Sequence, residues 1–113
     1  MNGQDIIPPA QCQSMDEVRR EIDRIDEQLV ALIAERFGYV DRAWQLKMGT
    51  GESATVPWRI QQVIDKVRAR AEQHDLPPEL VEAIWRQMIG WFIQYEEERL
   101  APRRAPGEQG EGV

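Results

Sequence analysis

Residues 18–44 read VRREIDRIDEQLVALIAERFGYVDRAW, and their apolar side chains recur every three or four positions. This spacing places the apolar side chains on one stripe of an α-helix. The stripe consists of Ile22, Ile25, Leu29, Leu32, Ile33, Val40 and Trp44. Ser14 and Glu17 form a capping box at the helix start, while Gly49 and Gly51 mark its end. We predict a first helix of roughly 34 residues, on the order of 50 Å long.

A helix of that length exceeds what a compact chain of 113 residues can cover. The expected radius of gyration of such a chain is only about 13 Å. We therefore expect a partner chain to cover part of the apolar stripe.

Two more helices are predicted after this one. Pro57 suits a first helical turn, and the second helix ends near His74. Pro77 and Pro78 open a third helix that runs to about Leu100. The third helix is apolar on most sides, which is typical of a helix buried by several neighbours. Its aromatic residues, which we expect in the core, are Trp85, Trp91, Phe92 and Tyr95.

No segment shows sustained alternation with period two, so the predicted fold is all-α. We predict an extended arm without regular structure at residues 1–13, because Pro8 and Pro9 disfavour a helix. Residues 14–100 form the predicted helical domain. Residues 101–113 are rich in Gly, Pro, Arg and Glu and form a predicted disordered tail.

The charge balance argues against two classes of partner. Fourteen Lys and Arg stand against twenty Asp and Glu, giving a net charge of −6. This excess repels nucleic acids and anionic membranes. The longest apolar stretch, Leu29 to Ala34, is far shorter than the roughly 20 residues of a membrane-spanning helix. We expect neither a nucleic-acid partner nor a membrane partner.

Cysteine and histidine are too few for a disulfide or a zinc site. The chain has one cysteine, Cys12, and one histidine, His74. The first thirteen residues also lack the basic start and apolar run of a targeting signal. We therefore predict a cytoplasmic protein with no metal ion.

Two cations interrupt the apolar face of the first helix. Arg36 lies within about 20 to 40° of the centre of that face. Because a guanidinium cannot lose its proton and is costly to bury unpaired, Arg36 implies an anionic partner. Lys47 lies on the same face about 16 Å further along the axis. The two cations either converge on one anionic ligand or form a salt bridge that fixes helix register.

Three other charged residues lie beside apolar stripes. Arg19 flanks the first stripe and Arg59 flanks that of the second helix, and each taken singly fits an ordinary surface residue. Glu96 faces the same way as Trp85 and Phe92, so its carboxyl is either paired or protonated. Acidic residues elsewhere are interpreted as solvated charges, among them Glu17, Glu21 and Glu27.

The spacing of these five charged residues, with the sequence between them, resembles that of the all-α chorismate mutase family. The segments that carry the resemblance are VRREIDRIDEQLVALIAER at 18–36, YVDRAWQLK at 39–47, VPWR at 56–59 and IWRQMIGWFIQYE at 84–96. In detail it is most similar to the isochorismate-pyruvate lyase branch, which forms salicylate. The resemblance implies three-helix chains that intertwine as a homodimer with two equivalent sites.

The resemblance also implies roles for individual residues. Arg36 and Arg59 would bind the two carboxylates of a chorismate-like dicarboxylate, together with Arg19 from the partner chain. Lys47 and Glu96 would act as catalytic residues beside the enolpyruvyl ether oxygen. Two further substrate-binding positions would be Val40 and Ile93. The family reaction uses no cofactor, since the site only holds the folded substrate and stabilises developing charge.

Two positions depart from many mutases of the family. Ile60 replaces a glutamate that holds the ring hydroxyl, a difference shared with the lyase branch. Glu96 stands where many members have glutamine. An ionised carboxylate there would repel the ether oxygen, so Glu96 would have to be protonated to assist the reaction. The first hypothesis is a chorismate mutase forming prephenate. The alternatives are an isochorismate-pyruvate lyase and, from another class, a non-catalytic helical dimerisation module.

Overall fold

The computed structural model describes residues 5–51 and 56–100. Three α-helices make up most of these ranges: α1 at Met15–Thr50, α2 at Pro57–Gln73 and α3 at Pro78–Leu100. No strand occurs within them, so the all-α prediction is confirmed for this part of the chain. None of these helices has the length and apolar composition needed to cross a membrane. The predicted tail, residues 101–113, lies outside the described residues, and the predicted domain boundaries stay a prediction.

The predicted cap and stop residues define both ends of α1. Ser14 Oγ accepts a hydrogen bond from the backbone N–H of Glu17 at 3.1 Å. Glu17 Oε1 accepts one from the backbone N–H of Gln13 at 2.8 Å, one residue before the usual capping-box partner. At the other end, Gly51 adopts φ +76°, and its N–H donates to the carbonyl of Lys47 at 2.9 Å. Glycine suits this left-handed conformation, which ends the helix.

The segment before α1 is more ordered than predicted. Pro9–Gln11 form one turn of 3-10 helix where we expected no regular structure. Glu21 was expected to be solvated, but its side chain is only 13% exposed and accepts a hydrogen bond from Arg24 Nε at 2.8 Å. This bond, with one from the backbone of Ile7, lowers the pKa of Glu21. Glu21 therefore ties the arm to the first turns of α1.

The chain divides into two compact units between Tyr39 and Val40, within α1. In the first unit, the apolar stripe of α1 is largely exposed. Leu32 is 60% exposed, and Ile22, Ile25, Leu29 and Ile33 are exposed as well. The stripe is therefore uncovered within the first unit, and its cover by a partner chain stays a prediction.

In the second unit, α2 packs against α3. Its buried apolar side chains are Ile64 and Ala71 from α2, with Val81 and Phe92 from α3. Glu82 of α3 adds a polar connection, accepting hydrogen bonds at 2.6 Å from both Arg68 of α2 and Arg86 of α3. The bonds from Arg86 and Arg68 lower the pKa of Glu82. Apolar burial and this charged cluster together fix α2 against α3.

The turn between α2 and α3 explains where α2 stops. Asp75 adopts φ 60°, the left-handed conformation usually taken by glycine. The N–H of Leu76 donates to the carbonyl of Ala71 at 2.8 Å, and that of Asp75 donates to Glu72 at 3.2 Å. These are the two hydrogen bonds of a Schellman motif. The helix end predicted near His74 is confirmed, since His74 is the C-cap residue.

The prediction that several neighbours bury α3 is wrong for the single chain. Phe92 is buried, but Trp91 is 60% exposed, and Leu80 and Ile84 are exposed too. Trp85 and Tyr95 are half-buried. An apolar pattern shows which faces of a helix avoid water, and it does not show whether the same chain supplies the cover.

Candidate active site

Lys47 and Glu96 form an ion pair within the second unit. Lys47 lies in the last turn of α1, and its Nζ donates to Glu96 Oε1 of α3 at 3.1 Å. The side chains are 18% and 8% exposed, and Glu96 is the only buried charged residue among those described. The sequence analysis predicted that the Glu96 carboxyl is either paired or protonated. In the structure it is paired with Lys47. A carboxylate largely removed from water is thereby compensated by an ammonium group.

A second polar connection joins the same two helices through Asp41. Its Oδ1 accepts a hydrogen bond from the Tyr95 hydroxyl at 2.7 Å and another from Trp44 Nε1 at 2.6 Å. The bond from Tyr95 lowers the pKa of the Asp41 carboxyl most, followed by the bond from Trp44, and the charge of Arg99 acts the same way. Asp41 is therefore held as a carboxylate.

Sequence reasoning missed this connection. The only available signal was the spacing of Asp41 and Trp44, which puts them three positions apart on one helix face. Nothing in the pattern links Asp41 to Tyr95, fifty-four positions away, and Tyr95 was interpreted as a core aromatic residue.

The Tyr95 ring is held in place by its neighbours on α3. Trp91, one turn earlier, stacks on it with ring centroids 5.7 Å apart and planes inclined by 13°. Arg99, one turn later, places its guanidinium carbon 4.1 Å from the Tyr95 centroid. Trp91 also meets Phe92 edge to face at 5.2 Å. Stacking and the cation–π contact together orient the hydroxyl toward Asp41.

The remaining predicted site residues have different surroundings. Val40 and Ile93 belong to the second unit and are half-buried. Arg59 is exposed on α2, and its guanidinium donates to Gln62 Oε1 at 2.6 Å. Arg19 and Arg36 belong to the first unit, where Arg19 is exposed 3.9 Å from Asp16 and Arg36 is half-buried. The structure thus joins Lys47 to Glu96, and convergence of the three arginines on one ligand stays a prediction.

The described residues offer no grouping suited to a metal ion. Within residues 5–51 and 56–100, no three His, Cys, Asp or Glu side chains lie close enough together to hold one. Ionisable groups that meet between α1 and α3 include Lys47 with Glu96 and Asp41 with Tyr95.

The lowered pKa of Asp41 predicts a pH-dependent contribution to stability. A carboxyl with a lower pKa in the folded chain stabilises the fold above its unfolded pKa, and the stabilisation is lost as pH falls through the folded pKa. The unfolded value lies near 3.8. Wild type should therefore exceed Asp41→Asn in free energy of unfolding at about pH 6, and the difference should shrink below about pH 4.

Urea titrations followed by circular dichroism, at one protein concentration, measure this difference at each pH. The comparison of two variants cancels the contributions of Glu21 and Glu82, whose pKa values are also lowered. A difference that stays constant from neutral to acid pH would show that the charge of Asp41 does not stabilise the fold.

Comparison with known proteins identifies sequence relatives of this chain. The sequence profile of the family described as chorismate mutase type II matches residues 18–97. An isochorismate pyruvate lyase of Pseudomonas aeruginosa is 29% identical over 85 residues, covering 75% of this chain and 83% of that protein. A bifunctional chorismate mutase/prephenate dehydratase of Aquifex aeolicus is 30% identical over 87 residues. That alignment covers 74% of this chain but only 24% of the bifunctional protein.

Proposed function

The chain belongs to the chorismate mutase type II family, and on this premise we propose that it converts chorismate to prephenate. The family and its named relatives indicate either chorismate mutase or isochorismate pyruvate lyase activity. The observation that supports a reaction at this site is the Lys47–Glu96 pair, which lies within the matched span and is largely shielded from water. An ion pair can also fix helix register, so it is the family match that favours an enzyme over a helical dimerisation module.

The proposed chemistry is a rearrangement within one bound molecule. Arg36 and Arg59 bind the two carboxylates of the substrate, and Arg19 reaches the same ligand from a partner chain. Planar guanidinium groups suit this task because each can donate two parallel hydrogen bonds to a carboxylate. Val40 and Ile93 provide apolar contact with the substrate. Holding the folded conformer removes much of the entropic barrier.

Lys47 is the proposed donor to the ether oxygen. The ether carbon–oxygen bond breaks while a carbon–carbon bond forms between the enolpyruvyl methylene and the ring. Negative charge builds on the ether oxygen in this step, so an ammonium group held beside it stabilises the transition state more than the bound substrate. Glu96 holds that ammonium in position. The charge that would otherwise repel the ether oxygen is compensated by Lys47 itself, 3.1 Å away.

Replacement of Glu96 separates its charge from its hydrogen bonds. Glu96→Gln should keep kcat within about threefold, because the amide oxygen still accepts from Lys47 and the amide N–H can donate to the ether oxygen. Glu96→Ala should lower kcat about 10- to 100-fold, the value of one hydrogen bond to a charged group. Glu98→Gln on the exposed side of α3 is the matched control. Equal losses in the Gln and Ala variants would mean that the carboxylate charge itself is required.

We further propose that the chain is a homodimer in which the α1 stripes are paired. The exposed apolar residues of α1, with Trp91 on α3, support this proposal because a large uncovered apolar surface is unfavourable in water. Sedimentation equilibrium at micromolar concentration should give about twice the chain mass of 13.1 kDa. Thermal stability should rise with protein concentration. A folded monomer under these conditions would contradict both the dimer and a site shared between chains.

Isochorismate-pyruvate lyase activity is the second candidate. It is favoured by the relative from Pseudomonas aeruginosa, which this chain matches over 83% of its length. Ile60 also supports it, since the lyase branch likewise lacks the glutamate that many mutases have there. Both reactions begin from a folded dicarboxylate with an enolpyruvyl ether, so the same cations serve either one.

Incubation of the purified protein with each substrate decides between the two reactions. We expect the protein to convert chorismate to prephenate. The loss of chorismate absorbance measures the reaction, and chromatography identifies the product. If the protein forms salicylate and pyruvate from isochorismate but little prephenate from chorismate, it is a lyase and not a mutase. A protein that consumes neither substrate would overturn the proposed function.

A further inference from the structure

We infer that Asp41 and Tyr95 are positioning residues that determine where the Lys47 ammonium lies, an inference that rests on the proposed role of Lys47. All three residues belong to the second compact unit. Asp41 and Lys47 are on α1, whereas Tyr95 and Glu96 are consecutive on α3. The two hydrogen bonds, Tyr95 to Asp41 and Lys47 to Glu96, therefore join the same pair of helices.

Two connections constrain a helix more than one does. Asp41 and Lys47 are six positions apart, which corresponds to about 9 Å along α1 and about 120° around it. With only the hydrogen bond at Lys47, the end of α1 could slide and rotate against α3. The long lysine side chain would adjust its conformation and keep that bond. The bond at Asp41 removes both freedoms, because it holds a different face of α1 at a second height.

The Asp41 connection is also the stiffer of the two. A lysine side chain has four rotatable carbon bonds, and its ammonium follows small movements of either helix. Tyr95 is packed against Trp91 and under Arg99, and Asp41 Oδ1 is held at the same time by Trp44. Short hydrogen bonds between rigid groups fix the position of the α1 backbone. The flexible Lys47 side chain then extends from a backbone whose position is already fixed.

This role matters because catalysis is sensitive to small displacements. A shift of about 1 Å in a reacting group costs on the order of 100-fold in rate. Tyr95→Phe removes one oxygen atom and keeps the ring, its stacking partner and the cation above it. The variant therefore tests the hydrogen bond to Asp41 with little other change.

Lysine resonances give a test that needs no enzymatic activity. The chain contains two lysines, Lys47 and Lys66, so a protein labelled with ¹⁵N at lysine Nζ gives two side-chain signals. Lys66 is exposed on α2 and serves as the internal reference. We expect Tyr95→Phe to move the Lys47 signal toward that of Lys66 and to leave Lys66 unchanged. Tyr39→Phe, at the other tyrosine and 73% exposed, should move neither signal.

Kinetics give the second test. Tyr95→Phe should lower kcat about tenfold with KM changed less than about twofold, because the donor is misplaced and substrate binding is kept. Asp41→Asn, which keeps an acceptor oxygen, should lose less than Asp41→Ala. In a Lys47→Ala background, Tyr95→Phe should cost less than about twofold, since a residue that acts through Lys47 has no further effect once Lys47 is gone.

Two results would overturn the inference. The first is a Lys47 signal that does not move in folded Tyr95→Phe or Asp41→Ala. The second is an equal loss of kcat from Tyr95→Phe with and without Lys47, which indicates a general structural role. Should the wild type convert neither chorismate nor isochorismate, the proposed function fails, while the lysine signals still report whether Asp41 and Tyr95 position Lys47.

Discussion

Replacing Lys47 with alanine is expected to lower kcat for chorismate by about 100- to 1,000-fold, the cost of removing one preorganised donor to a developing negative charge. The loss should appear in kcat more than in KM, because the charge on the ether oxygen develops only in the transition state. Lys66→Ala is the matched control, since it removes the other lysine of the chain from an exposed position on α2. Steady-state kinetics on the two variants measure the difference.

The same substitution leaves Glu96 buried without its ammonium partner. This should reduce the free energy of unfolding by about 3–5 kcal/mol, the cost of removing one partner of a buried ion pair. Lys47→Ala combined with Glu96→Gln should regain stability, because the neutral amide is less costly to bury. The double variant should not regain activity. Recovery of both together would mean that Lys47 only supports the fold, and the assignment of the donor would be wrong.

The need of Lys47 and Glu96 for a partner was predictable, because each is a charge at a position where the apolar pattern continues, whereas their pairing with each other was not predicted. A periodic pattern specifies which residues share a face, and a charge on an apolar face requires a partner. Ser14, Glu17 and Gly51 were predictable for a similar local reason, since capping and left-handed conformations depend on neighbouring residues. The bounds of α1 follow from these few positions.

Asp41 and Tyr95 were not predictable because their contact depends on how two helices are set against each other. Periodicity along each helix carries no information on the register between residues fifty-four positions apart. The exposure of Trp91 was missed for a related reason, since an apolar face gives no sign of which chain covers it. Asp75 escaped notice because it takes the left-handed position usually given to glycine.

Arg36→Ala should lower kcat/KM by a factor of similar size to the loss in Lys47→Ala, mainly through a higher KM. Truncating one partner of a hydrogen-bonded charge pair costs about 2–5 kcal/mol, which corresponds to at least about 30-fold in kcat/KM. The interaction with a substrate carboxylate is present in the bound substrate and in the transition state alike, so its loss weakens binding in both. Arg36→Lys should also be poor, because an ammonium cannot supply the planar pair of donors.

Arg42→Ala is the control for this experiment, since Arg42 lies on α1 and is exposed. Circular dichroism of each variant separates a loss of substrate binding from a loss of structure. If Arg36→Ala folds and keeps the wild-type kcat/KM, Arg36 does not bind the substrate. If it unfolds while Arg36→Lys folds and is fully active, a positive charge suffices and Arg36 fixes helix register through a salt bridge. A folded Arg36→Lys with raised KM supports carboxylate binding, because only the geometry of the donors has then changed.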